Sequence, residues 1–172
     1  MQFAKDTFYM ALRERLGALS PSRRSTVNGV DRIAIVVLEN EVIVPPAAAT
    51  NTFYLEWGGV QGVDKHGGGR RPLQAMHCVI TYRTSGTCDS GVDRGRMLAA
   101  LDTELQSICQ PPESRKRDFT QSPSRDLGTC IFWTAPELGA QAETKSGKQD
   151  FAAFLERSAH LSVFYFPEVD LT

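Results

Sequence analysis

The chain has 172 residues, 41% of them hydrophobic and 23% charged. That is enough for one ordinary folded domain, Met1 to Thr172, with a real core, and it argues against wholesale disorder. A formal net charge of −1 gives no global field to draw the protein to nucleic acid or to an acidic membrane. The N-terminal stretch "MQFAKDTFYMALRERLGAL" mixes charges throughout and does not read as a signal peptide. No segment approaches the ~20 apolar residues of a membrane span. A cytoplasmic protein with reduced thiols is expected. The four cysteines, Cys78, Cys88, Cys109 and Cys130, are scattered, with no C-x-x-C pair and no histidine at ligand spacing. Cys78 and Cys130 read as small apolar fillers of strands.

In chain order, the first element is a helix from Lys5 to Leu19. Phe8, Leu12, Leu16 and Leu19 recur at helical spacing, with Arg13, Glu14 and Arg15 on the other side. Ser20-Pro21-Ser22 ends it. Asn28-Gly29 between Val27 and Val30 signals a two-residue hairpin, because a type I′ turn needs positive φ at both central positions. Arg32 to Glu39 is a β-rich run, broken by Pro45-Pro46. A strand restarts at Asn51 with Phe53, Leu55 and Trp57 alternating against Tyr54 and Glu56. The next strand, "LQAMHCVITYRT", places Met76, Cys78, Ile80 and Tyr82 on one face and His77, Val79, Thr81 and Arg83 on the other. Between these two strands lies "VDKHGGGRRPLQ", so the simplest geometry is a long antiparallel hairpin with Lys65 to Arg71 at its tip.

A polar loop then offers Ser90 or Asp93 as an N-cap for a second helix from Arg94 to Cys109. Met97, Leu98, Leu101, Leu105 and Ile108 form its apolar stripe, and Pro111-Pro112 stops it. "ESRKRDFTQSPSRD" reads as a charged loop, Gly128 to Thr134 as a short strand, and Ala135 to Asp150 as a mobile loop. Phe151 to Arg157 reads as a helical turn or the start of the last strand, with the extended form favoured, Ala159 to Phe166 as the most strand-like piece of the chain, and Pro167 as its end. Grouped strands with two separated helices give an α+β fold: a mostly antiparallel sheet, two helices packed on one face and a long β-hairpin arm.

The triple glycine, Gly67-Gly68-Gly69, is the chain's most conspicuous candidate site. A P-loop needs a helix after the glycines and a Lys-Ser/Thr pair. Here Arg71-Pro72-Leu73 leads into a strand. The loop reads as a hairpin tip that orders on meeting a partner, with Lys65, His66, Gly67, Gly68, Gly69, Arg70 and Arg71 as interface residues. The alternative is a phosphate- or small-molecule-binding module, in which a nest of backbone amides with His66, Arg70 and Arg71 holds an anion. His77 and His160 sit in strands as candidate cross-strand neighbours, with no Asp or Glu nearby except Glu156 and Glu168, and read as half-exposed sheet histidines. Asp102 and Glu104 are two positions apart on a helix and do not share a face. "SRKRD", Ser114 to Asp118, reads as a solvated surface. Tyr54, Tyr82 and Tyr165 fit core or interface packing as well as base stacking. No catalytic, cofactor or metal residue is expected, and no sequence-specific nucleic-acid binding.

The order of elements resembles that of the tail-terminator proteins of long-tailed phages, the lambda protein U family. The resemblance lies in an N-terminal helix such as "FYMALRERLGAL", a long strand such as "QAMHCVITYRT", an amphipathic helix such as "RGRMLAALDTELQSIC", and a final strand such as "HLSVFYFPE". It covers most of Phe3 to Phe166 as an arrangement, with extra loops at Val44–Asn51 and Ala135–Lys148. It implies a non-enzymatic protein whose copies form a ring, usually a hexamer. Such a ring caps the tail-tube protein and meets the head–tail connector, first in the cytoplasm and then in the virion tail. Another assembly role, in head–tail joining or the baseplate, is equally compatible with the sequence.

Overall fold

The structure, a computed structural model, describes residues 1–41, 49–63, 72–85, 92–140, 142–145 and 152–167. Helix α1 (Gln2–Leu19) opens the chain and buries Ala4, Phe8, Leu12 and Leu16, the stripe that the periodicity predicts. Its backbone closes at Ser20, whose N–H reaches the Leu16 carbonyl, and Pro21 cannot continue the ladder. Strands β1 (Arg24–Val27) and β2 (Val30–Ile33) form the expected hairpin. Asn28 and Gly29 both hold positive φ, 50° and 77°, as the turn demands. The predicted β-run to Glu39 is shorter: β3 (Ile35–Val37) gives way to a single helical turn, α2 (Leu38–Glu41).

The long hairpin is present as β4 (Phe53–Gly62) and β5 (Gln74–Thr84), paired antiparallel with a bulge between Trp57 and Val60. Helix α3 (Asp93–Ile108) buries Leu98, Leu101, Leu105 and Ile108. Its N-cap is Val92, with no side-chain cap bond. Asp93 lies inside the first turn, where its charge faces the positive end of the helix dipole, and Ser90 lies outside the described residues.

The stretch read as a charged loop is a strand. β6 (Glu113–Asp118) pairs antiparallel with β7 (Arg125–Trp133). Charge hid it, because β6 buries Lys116 and Asp118 while Arg115 and Arg117 face solvent. The Lys116 stem lies inside and its Nζ donates to the Phe166 carbonyl at 2.7 Å, a burial that long amphipathic side chains permit. The predicted loop Ala135–Asp150 contains two short strands, β8 (Glu137–Leu138) and β9 (Ala142–Lys145), both paired to β10 (Ala152–Tyr165). β10 is therefore extended from end to end, as predicted for both of its halves.

The eight-stranded sheet runs β3, β4, β5, β10, β7, β6, with β8 and β9 continuing along β10. Every pairing is antiparallel except β3 with β4. α1 and α3 share one face: Phe8, Leu12 and Leu16, and Leu98, Leu101 and Leu105, join Met76, Cys78, Ile80, Tyr82, Ala159, Leu161 and Val163 in one core. Phe8 sits edge-on to Trp57 and Trp133, with ring centroids 5.7 and 5.1 Å apart. This is the α+β arrangement read from the sequence.

Candidate functional site

The predicted interface, Lys65, His66, Gly67, Gly68, Gly69, Arg70 and Arg71, lies outside the described residues. So does the anion-binding alternative at His66, Arg70 and Arg71. The described hairpin leads to it: the Val63 N–H donates to the Leu73 carbonyl at 2.9 Å.

The sheet itself presents a second candidate. Helices α1 and α3 lie on one face. On the other face the register lines up side chains in rows. Phe164 of β10 is opposite Phe132 of β7 and Ala75 of β5. The two phenylalanines stack at 5.2 Å and 13°, and Phe132 is 39% exposed. In the next row His77 is opposite Ser162, whose Oγ lies 3.3 Å from His77 Nδ1. The row beyond places His160 between Val79 and Glu137, with Glu56 opposite Val79. His77, His160, Glu56 and Glu137 are all exposed. The histidines are thus diagonal neighbours on adjacent strands rather than a directly opposed pair.

The carboxylate beside His160 is Glu137, with Glu56 one strand farther off beyond Val79, and not the expected Glu156 or Glu168. Glu156 lies opposite Arg83, farther along β10, and Glu168 lies outside the described residues. Sequence missed Glu137 because strand β8 is only two residues long and its pairing is nonlocal. The face combines a flat aromatic pair with exposed hydrogen-bonding side chains, a chemistry suited to contact with another surface. Among the described residues no group of three or more His, Cys, Asp or Glu side chains is arranged to hold a metal ion.

The other side chains singled out in the sequence serve the core. Tyr54, Tyr82 and Tyr165 are buried. Tyr82 donates its hydroxyl to Asp102 Oδ1, and Tyr165 donates to Gln74 at 2.6 Å. Burial, then the bond to Asp102, raises the Tyr82 phenol well above its ordinary pKa. Asp102 and Glu104 diverge as expected. Asp102 also receives Arg157 Nη1 at 2.9 Å, whereas Glu104 lies 2.8 Å from Arg23 Nη2 and accepts from Ser20 Oγ at 2.6 Å. Desolvation lowers the Arg23 pKa, partly offset by the charge of Glu104.

Cys78 and Cys109 are buried and Cys130 is exposed, so the reading of Cys130 as a core filler is corrected. It follows the outward parity of Phe132 on β7. Burial pushes the Cys109 thiol up to about 12, with the nearby Arg15 charge opposing. Cys88 lies outside the described residues.

Arg15, read as a solvent-side residue, instead clamps the α3–β6 junction. It donates to the carbonyls of Ile108, Pro111 and Glu113 at 3.1, 2.7 and 3.0 Å. Its guanidinium also lies over Trp133, 5.2 Å from the ring centroid.

A cleft of about 400 Å³ lies between the chain after α1 and helix α3, lined by Arg23, Arg24, Asn51, Met97 and Leu101. Its two arginines are already paired, Arg23 to Glu104 and Arg24 to Asp31 at 2.7 Å, so neither stands ready for an anion.

No helix of the described residues is long and apolar enough to cross a membrane. No family model matches the chain, and no curated protein matches it. Among the solved structures that are similar, one matches over 97% of each chain at 15% identity and a TM-score of 0.40, a likeness too distant to carry fold or function.

Proposed function

We propose that this chain is a non-enzymatic assembly subunit of a phage or prophage tail. Its role is that of a terminator: copies close into a ring, usually of six, that caps the tail-tube protein and meets the head–tail connector. The observation that supports this reading is the open face of the eight-stranded sheet, with the Phe132–Phe164 stack flanked by His77, Ser162, His160 and Glu137. α1 and α3 cover the opposite face, while on this one Val27, Val36 and Tyr54, with Leu38 of α2 against them, cover only the β3 end. A closed ring needs two different patches that fit one another on neighbouring copies, and an exposed aromatic pair with a polar surround has the make-up of one such patch.

The test is the mass of the purified protein by light scattering, with negative-stain imaging and pull-down on assembled tail tubes. A ring of about six copies that binds tube ends supports the reading. Phe132→Lys should disperse the ring while leaving the thermal midpoint of the subunit nearly unchanged. A protein that stays monomeric at every concentration and ignores tail tubes overturns it.

A further inference from the structure

The two ends of the sheet differ in how their backbone is finished. At the β6 end, α1 supplies the missing partners. Trp133 N–H donates to the Pro112 carbonyl, so Pro112 and Ser114 face β7 while Glu113 and Arg115 face outward. The outward Glu113 carbonyl is taken by Arg15 Nη2 at 3.0 Å. Past the bulge, the Arg117 N–H donates to Thr7 Oγ1 at 3.0 Å. That edge is closed.

At the other end, β3 covers β4 only at Phe53, Tyr54 and Leu55. From Gly58 to Val63 every residue is exposed, Val60 at 41% and Val63 at 45%. Because Val63 N–H bonds Leu73, Val63 and Gln61 face β5. Val60 and Gly62, one residue out of phase, turn their N–H and C=O groups to the open side. Trp57 to Val63, "WGGVQGV", holds no charge and no proline, and of the usual guards of an edge strand it has only the bulge between Trp57 and Val60, upstream of Gln61.

We infer that this edge is a strand-addition site whose occupant is the same edge of a second copy, related by a two-fold axis. Outward residues must pair with outward residues. Centring the axis on Gln61 sets Val60 opposite Gly62 of the second copy and Gly62 opposite its Val60, each pair exchanging both hydrogen bonds. Gln61 meets Gln61 on the axis, where the two side-chain amides can bond each other. A branched side chain meets a glycine in both symmetry-related pairs, and no like charges face. Gly62 has nothing within 4 Å of the position a Cβ would take, so the neighbour's valine has room. The segment is complementary to itself. This contact is isologous, whereas a ring needs a heterologous one, so it stands independently of the ring reading.

Gly62→Pro tests it. The lost N–H points away from β5, so the hairpin ladder is intact and an open edge tolerates proline. The variant should keep its thermal midpoint, and its assembly should have half the mass of the wild type, with self-association through this edge weakened roughly tenfold or more. Amide exchange on the wild-type chain reads the same geometry without a mutation. Val60 and Gly62 should gain protection as concentration rises, while Gln61 and Val63 are protected throughout. Unchanged mass in Gly62→Pro, or unprotected Val60 and Gly62 amides at concentrations where association is complete, overturns the edge pairing. A monomeric wild type does the same. A ring of unchanged mass in Gly62→Pro that is lost in Phe132→Lys refutes only the edge.

Discussion

Replacing phenylalanine by alanine on the two faces of the sheet should have opposite consequences. Phe8 is fully buried and touches Trp57 and Trp133 edge-on. Removing its ring forfeits ~2–3 kcal/mol of transfer free energy. It also opens a cavity that two rigid indoles cannot fill, so the total is about 4 kcal/mol. For a chain of this length that lowers the thermal midpoint by roughly 8–16 °C, at ~2–4 °C per kcal/mol. Phe132 keeps 39% of its surface in solvent and has one stacked neighbour, Phe164. Phe132→Ala should cost the isolated subunit only about 1 kcal/mol while weakening self-association. Urea titrations at low protein concentration give the first quantity, and light scattering at high concentration gives the second. If Phe132→Ala destabilises the subunit as much as Phe8→Ala does, the outer face is not an open surface and the reasoning fails.

Three further outcomes follow from the interior. With Cys88 replaced by serine, Ellman's reagent should label Cys130 in the native protein and reach Cys78 and Cys109 only on unfolding; mass mapping that finds Cys109 modified first would contradict its burial. Glu104→Ala should cost about 2–3 kcal/mol by urea titration. It strands Arg23 and Ser20 Oγ, and Arg23 keeps 21% of its side chain in water, which holds the loss below that of a fully buried pair. Asp118 accepts from Thr120 Oγ1, the Thr120 N–H and Gln121, and the Thr120 bonds above all hold its carboxyl below the ordinary 3.8. Such a group contributes stability above its unfolded pKa and loses it as pH falls through the lower folded value. The gap between wild type and Asp118→Asn should therefore be constant above about pH 5 and close in stronger acid; a gap that widens in acid reverses the sign and refutes it.

Much of the fold was legible because its signals are local. The apolar stripes of α1 and α3, the Asn28-Gly29 turn and the alternation of Met76, Cys78, Ile80 and Tyr82 each follow from a few neighbouring residues, and the structure bears them out. β6 was not legible, because its inward positions carry Lys116 and Asp118 rather than apolar side chains, and the partners that satisfy Lys116 and Arg117 lie at Phe166 and Thr7. β8 and β9 are too short to carry a period and exist because β10 lies beside them. The candidate face was legible only in part. Parity placed His77 and His160 outward, but the Phe132–Phe164 stack and the Glu137–His160 pairing are products of strand order, which parity does not encode.

α1 gives this molecule its valence. Through Thr7 and Arg15 it seals one margin of the sheet, so edge pairing joins two molecules and then stops. Without those two contacts the β6 margin would be bare as well, and growth would become open-ended. The helix that supplies the core is also the terminator of the protein's own polymerisation.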